Sequence, residues 1–310
     1  MRKFIPALCS VALCIAMIAP ASAAEFTAKD LANEEAKFAA YSVKNGMRAA
    51  FLEFFAEQSW LLRPEPVDAQ TWLRARPDPA IVLDWKSQRT ILSASGDMGF
   101  STGPWLLRDK MDAKKPAAHG QFFSVWQKQK NGDWKVLIDH GISHDPIPTS
   151  YALPAAPLVA LDLTDLQSGV LAYDAEKDFV YRTNNVSTQY AYVDRVTNRT
   201  LLLRDGQFSI EGKAAAMEYV NSQEGNWSWT PKLQGASSAN DFAYVVGNYA
   251  GKTQNGEARN GQYVRVWVRD ASGEASTRWT IAAEIMTAEP PPKPKLERFA
   301  SARTNTLARE

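Results

Sequence analysis

The fold is decided by the stretch HGQFFSVWQKQKNGDWKVLIDH, which occupies residues 119–140. Its apolar and polar residues alternate on both sides of a polar turn, KNGD at residues 130–133, and this predicts an antiparallel hairpin. The same arrangement returns at residues 261–285 as GQYVRVWVRDASGEASTRWTIAAEI. Trp126 and Trp267 hold equivalent positions in the two stretches and are 141 residues apart. The recurrence predicts a duplicated domain.

Residues outside the hairpin recur at the same spacing or at one that is three residues longer. The pairs at 141 residues are Glu35 and Glu176, Phe38 and Phe179, Phe51 and Tyr192, and the segments Leu61–Arg63 and Leu202–Arg204. The pairs at 144 residues are Trp85 and Trp229, Asp97 and Asp241, and Gly103 and Gly247. A change of spacing of this kind is expected from an insertion in one copy of a duplication.

The N-terminus is typical of a secretory signal peptide. Residues 1–24 have a basic start, an apolar stretch and a small-residue cleavage site. The only two cysteines, Cys9 and Cys14, lie within this segment, so we expect no disulfide in the mature chain. No later segment approaches the roughly 20 apolar residues that a membrane span needs. We therefore expect an exported protein, periplasmic or secreted.

Composition excludes several classes of partner and cofactor. The 310 residues are 45% apolar and 22% charged, which is typical of globular domains, and the net charge is +1. A charge this small gives no reason to expect nucleic acid as a partner. No third ligand accompanies the histidines at metal-binding spacing, and no phosphate loop or dinucleotide fingerprint is present, so no metal and no cofactor are predicted.

The order of patterns predicts the domain organisation. In each copy, three helical segments precede a run of short strands. The predicted segments are a signal peptide at 1–24, a first domain at 25–143, a linker rich in proline and small residues at 144–160, a second domain at 161–288, and a Pro-rich, disordered tail at 289–310.

This order resembles the nuclear transport factor 2-like superfamily, and within it the SnoaL-like domains of unknown function. The segments that carry the resemblance are 95–105, 119–122, 125–126 and 132–136 in the first copy, and 239–249, 261–263 and 278–279 in the second. The resemblance implies an α+β fold with two tandem cones, each with three helices packed on a curved, mostly antiparallel sheet. It also implies a pocket at the wide end of each cone. A Tyr and Asp pair of the ketosteroid isomerase kind is not found at matching positions.

The central strand of each copy has two different faces. Phe123 and Val125 lie on one, a purely apolar face that is expected beneath the helices. Ser124 and Trp126 lie on the other, and the second copy places Trp267 there together with an arginine. Because a mixed aromatic and charged face suits an interface, we predict an intramolecular pseudo-dimer through the faces carrying Trp126 and Trp267. The alternative is two separate domains joined by a linker.

Asp139 and His140 are the candidate catalytic residues, since an imidazole beside a carboxylate can titrate near neutrality. Neighbouring strand residues point to opposite faces, so the two enter one pocket only if a bulge intervenes. Asp139 also matches Glu284 at 145 residues, and the alternative role of both carboxylates is a salt bridge. The candidate ligand-binding residues are Arg63, Trp85, Trp105, His119, Arg204, Trp229, Tyr249 and Glu284.

Three functions remain open on these observations. The first is binding of a small, partly apolar molecule in a cone pocket. The second is a cofactor-independent lyase, isomerase or hydrolase that uses the first-domain pocket. The third is an assembly or interaction module in the cell envelope.

Overall fold

The computed structural model describes residues 26–63, 65–112, 114–115, 117–146, 158–160, 171–223, 227–252, 256–269 and 278–288. The predicted signal peptide, the predicted tail and most of the predicted linker lie outside these ranges. Within them, no helix has the length and apolar character needed to cross a membrane.

The described chain forms two α+β units, each with three helices and one sheet. The first contains α1 (Ala28–Asn45), α2 (Met47–Phe54), β1 (Phe55–Arg63), β2 (Glu65–Asp68), α3 (Ala69–Arg74), β3 (Ile81–Trp85), β4 (Arg89–Leu92), β5 (Met98–Asp109), β6 (Ala118–Lys128), β7 (Trp134–His144) and β8 (Leu158–Ala160). The second contains α4 (Ala172–Asn185), α5 (Thr188–Val193), β9 (Leu201–Arg204), β10 (Ile210–Glu211), α6 (Gly212–Ser222), β11 (Trp227–Ala236), β12 (Phe242–Lys252), β13 (Ala258–Val268) and β14 (Thr280–Ala288). The predicted fold class is confirmed.

Helix α1 illustrates how local sequence sets these boundaries. Its N-terminus is a capping box in which the Thr27 hydroxyl accepts from the Asp30 backbone N–H and the Asp30 carboxylate accepts from the Thr27 N–H. Gly46, with φ of 97°, separates α1 from α2, because a left-handed conformation is available to glycine at little cost. The buried face of α1 includes Leu31, Glu35 and Phe38. A glutamate thus faces the core of the first domain.

The two sheets follow the same plan. The first has the order β2-β1-β7-β6-β5-β4-β8, with β3 paired to β5, and the second has the order β10-β9-β14-β13-β12-β11. Strands β6 and β7 pair antiparallel, as do β13 and β14, which confirms the two predicted hairpins. In each sheet the first strand pairs in parallel with the second strand of the predicted hairpin, β1 with β7 and β9 with β14.

The prediction of which sheet face meets the helices is wrong. The faces carrying Trp126 and Trp267 lie beneath the helices, in two separate core clusters. The purely apolar faces instead share one cluster that joins the two sheets, with Phe123 and Val125 from the first and Val264 from the second. The reason is that the polar groups of the mixed faces have buried partners on the helices, whereas the apolar faces can be buried only against other apolar surface.

Two equivalent turns also join the units, by reciprocal hydrogen bonds. The Asp97 carboxylate accepts from the Ser238 N–H at 2.9 Å, and the Asp241 carboxylate accepts from the Ala94 N–H at 2.7 Å. Ala94 and Ser238 hold matching positions, so each turn presents the same groups to the other. This reciprocity is the property of a two-fold interface.

Candidate functional site

The first domain contains a cavity of about 400 Å³ on the helix side of its sheet. Its walls are largely aromatic and aliphatic, and they also contain a carboxyl group and a guanidinium group. The lining residues are Met47, Phe51, Arg63, Pro79, Ile81, Leu83, Trp85, Trp105, Leu107, Phe122, Asp139, His140 and Gly141. Four predicted site residues therefore line one pocket, namely Arg63, Trp85, Trp105 and Asp139. His140 also lines it, although its imidazole ring is directed to the other domain.

Strands β5 and β6, which form part of the pocket wall, approach each other closely at Trp105. Gly120 lies directly across from this residue on β6, and a Cβ atom there would overlap the Trp105 ring and the Ile142 carbonyl. The second copy repeats the arrangement with Gly261 beneath Tyr249. Glycine at these positions lets an aromatic ring cross the neighbouring strand and form the pocket wall.

Asp139 is the carboxyl group of this pocket. It lies on β7 directly across from Ser124, whose hydroxyl donates to Asp139 Oδ2 at 2.9 Å. The side chain is half-buried, and burial raises its pKa to about 7, while the Ser124 hydrogen bond and the charge of Arg63 act in the opposite direction. Arg63 makes no ion pair with it among the described residues; the Arg63 guanidinium donates to the Leu62 carbonyl and lies 5.5 Å from the Trp72 ring centroid.

A second carboxyl group, Glu35, lies beneath the pocket on α1. The indole N–H groups of Trp85 and Trp126 donate to its two oxygens at 2.7 and 2.8 Å. Burial raises the pKa of Glu35 to about 8, against the lowering effect of these two hydrogen bonds, and the nearby Asp139 raises it further. No cation within ion-pair distance of Glu35 is found in the part of the chain that the structure describes. Glu35 and Asp139 therefore both have pKa values near neutrality.

The imidazole of His140 is directed to the other domain. Its Nε2 lies 2.8 Å from the Thr287 hydroxyl on β14, and its strand neighbours Ile138 and Ile142 belong to the cluster between the sheets. Burial, with a further effect of Arg63, lowers the pKa of His140 to about 3, so the ring is neutral at physiological pH. The structure thus places His140 and Asp139 on opposite faces of β7, and the bulge in this strand pair does not bring them together.

The second domain has a cavity of about 360 Å³ in the equivalent place. Its walls are more polar than those of the first. Its lining residues are Thr188, Tyr192, Arg204, Asp205, Gln207, Tyr219, Val220, Gln223, Trp227, Trp229, Tyr249, Arg259, Met286 and Ala288. The predicted residues Arg204, Trp229 and Tyr249 are among them.

Beneath this second cavity lies a closed ion-pair network. Arg265 Nε donates to Glu284 Oε2 at 2.7 Å, and its Nη1 donates to both oxygens of Glu176 at 2.8 and 2.9 Å. Arg204 also donates to Glu284, and the Tyr192 hydroxyl donates to the same carboxylate at 2.7 Å. Burial alone would raise the pKa of Glu284, but the charges of Arg265 and Arg204 outweigh it and the pKa is lowered. The salt-bridge interpretation of Glu284 therefore applies to the second domain.

His119, a predicted ligand-binding residue, lies outside both described cavities. It lies across from His144 near the start of β6 and is absent from the walls of either cavity. Glu35 and Glu176 were recognised as a repeated pair but were not predicted as part of either site. Their position on the apolar stripe of a helix was the available signal, because a carboxyl group there must be buried with a partner.

No family model matches the sequence, and no curated protein matches it. Similar solved structures include a ketosteroid isomerase-like protein from Erwinia carotovora atroseptica, 16% identical, with 39% of this chain and 95% of that chain covered and a TM-score of 0.33. The Δ5-3-ketosteroid isomerase from Mycobacterium sp. is 13% identical, with coverages of 38% and 93% and a TM-score of 0.31. A SnoaL-like protein from Jannaschia sp. CCS1 is 11% identical, with coverages of 40% and 91% and a TM-score of 0.28.

Each of these matches covers less than half of this chain. The α+β architecture predicted from the sequence, with three helices and one sheet in each of two copies, is present in the structure.

Proposed function

We propose that this protein binds a small, largely apolar molecule in the pocket of its first domain. The observation that carries the proposal is the cavity of about 400 Å³ with aromatic and aliphatic walls and an Asp139 carboxyl group that no ion pair occupies among the described residues. Small-molecule sites are commonly concave and mostly apolar, with a few polar groups that orient the ligand. The second cavity fits this description less well, because its walls are more polar and its central carboxylate is held by arginines.

A titration with 2-naphthol tests the proposal, since this neutral bicyclic molecule has one hydroxyl group that can donate to Asp139. Isothermal titration calorimetry would compare the wild type with Leu107→Trp, which fills the first pocket, and with Ala288→Trp, which adds the same side chain at the second. We expect Leu107→Trp to weaken binding by about tenfold or more, the effect of about 1.4 kcal/mol of lost contact. Binding that Leu107→Trp leaves unchanged would contradict the proposal.

A cofactor-independent isomerase or lyase in the same pocket is a second candidate, and Asp139 is the observation that favours it. A general base works best when its pKa lies near the working pH, and the pKa of Asp139 is about 7. The test is exchange of the acidic C–H protons of 2-tetralone in deuterated water, followed by nuclear magnetic resonance. Asp139→Asn should abolish any catalysed exchange, whereas His140→Gln, on the opposite face of β7, should retain it. Exchange at the uncatalysed rate in the wild type would remove this candidate.

We also propose that the chain is exported and that its two domains act as a fused pair. Residues 1–24 support export through their signal-peptide pattern, and the shared apolar cluster and reciprocal turns support the fused pair. N-terminal sequencing of the protein from a cell-envelope fraction should find a start near Ala24 or Glu25. An assembly role in the envelope stays a prediction, and it would gain support if the purified chain retained a partner protein while binding no small molecule.

A further inference from the structure

The second domain surrounds the guanidinium group of Arg265 with carboxylates and aromatic rings. Two carboxylates, Glu176 and Glu284, accept hydrogen bonds from this side chain. The guanidinium carbon also lies 3.9 Å from the ring centroid of Phe179 and 4.7 Å from that of Trp229. Carboxylates and aromatic faces that surround a cation in this way both stabilise its charge.

The first domain retains counterparts of these surrounding groups but not the arginine. Ser124 lies directly across from Asp139, as Arg265 lies directly across from Glu284. The serine side chain ends at its hydrogen bond with Asp139, so nothing on β6 takes the position of the guanidinium. The matching carboxyl and aromatic groups are Glu35 for Glu176, Asp139 for Glu284, Phe38 for Phe179, Trp85 for Trp229 and Phe122 for Tyr263.

The first-domain cavity reaches this place. Asp139, Trp85 and Phe122 all line it, and they are the counterparts of groups that surround Arg265. Glu35 has a different role, because the Trp85 indole N–H donates to it, whereas the matching Trp229 Nε1 finds no hydrogen-bond partner among the described residues. The oxygens of Glu35 are thus taken by the indole N–H groups of Trp85 and Trp126, and Asp139 is the carboxyl group available for direct contact with a ligand.

The two domains also differ in the ion pairs that their carboxyl groups form. In the second, Glu176 and Glu284 form ion pairs with Arg265, and Glu284 forms another with Arg204. In the first, neither Glu35 nor Asp139 forms an ion pair within the described ranges, and the Arg63 guanidinium near Asp139 donates to the Leu62 carbonyl instead. A cationic ligand would give Asp139 the ion-pair partner that Arg265 gives Glu284.

We propose that the ligand of the first-domain pocket is an organic cation, an amidinium, guanidinium or ammonium group attached to an apolar body, with Asp139 as its counter-ion and Trp85 and Phe122 as its aromatic walls. This inference rests on the proposed function and specifies the chemical class of the ligand. The cation donates its N–H groups to Asp139 where Arg265 donates to Glu284, and the apolar body fills the remainder of the cavity.

Benzamidine and benzamide form a matched pair of probes, because they have nearly the same shape and differ in charge. Calorimetry should show that the wild type binds benzamidine about tenfold more tightly than benzamide, the usual advantage of a charge-assisted hydrogen bond. Asp139→Asn should bind the two probes equally. Ser124→Arg, which supplies the missing guanidinium from β6, should lose binding of benzamidine, and Leu107→Trp should weaken binding of both probes.

Equal affinities of the wild type for the two probes would overturn the inference, and so would a preference for benzamidine that survives in Asp139→Asn. If neither probe binds while 2-naphthol does, the inference fails and the proposed function stands. If 2-naphthol also fails to bind, both fail. Asp139→Asn replaces one carboxylate oxygen with an amide NH2 group of similar size. This variant therefore tests the inference even if Ser124→Arg does not fold.

Discussion

The two domains have the same fold and the same buried carboxyl positions, but they neutralise those groups differently. In the second, Arg265 and Arg204 hold Glu176 and Glu284 in a closed network. In the first, Glu35 is held by two indole N–H groups and Asp139 by one hydroxyl. The same architecture can therefore be closed by an internal cation or left with groups that respond to protons and ligands.

Much of this difference depends on one position of the central strand. Where the second domain has Arg265, the first has Ser124, and each faces the carboxyl group of the neighbouring strand. In a duplicated chain, one copy can have its site closed by an internal cation while the other copy keeps an open site. This is possible because the shared apolar cluster lets the stable domain support the other.

Removing the internal cation should have the largest effect on stability. Arg265→Met keeps most of the side-chain volume but leaves Glu176 and Glu284 without their shared partner, so we expect a loss of about 3–5 kcal/mol in the free energy of unfolding. Urea unfolding followed by tryptophan fluorescence would measure it. Ser124→Ala is the matched control in the first domain and should cost about 1 kcal/mol, the contribution of one hydrogen bond.

Similar costs for Arg265→Met and Ser124→Ala would show that the arginine network does not stabilise the second domain, and the contrast between the copies would fail. A larger cost for the serine variant would reverse the contrast and identify the first domain as the one held by its polar contacts.

The sequence predicted the architecture well because the architecture depends on local patterns. Alternation around residues 130–133 predicted the hairpin, and the spacing between Trp126 and Trp267 predicted the duplication. Alternation also sorted the side chains of β6 and β13 correctly into two faces. These features require only the order of residues along one or two neighbouring strands.

The sequence did not reveal which face lies beneath the helices, since that depends on contacts between distant residues. Trp126 and Arg265 are buried because Glu35 and Glu176, about 90 residues away, accept their hydrogen bonds. From the sequence alone, the mixture of aromatic and charged residues on the faces carrying Trp126 and Trp267 led to the prediction of an interface there. His140 was a reasonable candidate for chemistry by residue type, but its direction depends on Thr287 in the other domain. Ser124 carried no signal by itself and became informative only beside Arg265.

The two domains should also differ in how their stability depends on pH. The pKa of Glu35 rises from 4.5 to about 8 on folding, and that of Asp139 from 3.8 to about 7. Between pH 5 and 8 the folded chain therefore retains protons that the unfolded chain has already released. Stability from these groups is greatest at the acidic end and falls as pH rises, by up to about 1.4 kcal/mol per pH unit for each proton.

Unfolding midpoints measured at several pH values from about 6.5 to 8 would show this slope. Below pH 6.5 His140 acts in the opposite direction, because burial lowers its pKa from 6.5 to about 3 and the unfolded chain there binds a proton that the folded chain does not. Glu35→Gln should reduce it, and Ser124→Arg should reduce it as well by lowering the pKa of the neighbouring carboxyl groups. Glu34→Gln, one residue away, is the matched control for the substitution itself. The low pKa of Glu284 means that it contributes no slope in this range. A slope that persists in both Glu35→Gln and Asp139→Asn would place the titrating groups outside the first-domain pocket.

The smallest expected effect tests whether the two domains act independently. The His140 imidazole and the Thr287 hydroxyl form a hydrogen bond that links β7, the strand of Asp139, to β14, the strand of Glu284. Thr287→Val keeps the shape of the side chain and removes this bond, so we expect a loss of about 1 kcal/mol in stability. Because the bond lies on the face of β7 opposite Asp139, the affinity for 2-naphthol should change by no more than about twofold, less than 0.5 kcal/mol. A larger change in calorimetry would mean that the closed domain influences the open pocket through this strand pair, and the two sites would then have to be treated as one coupled system.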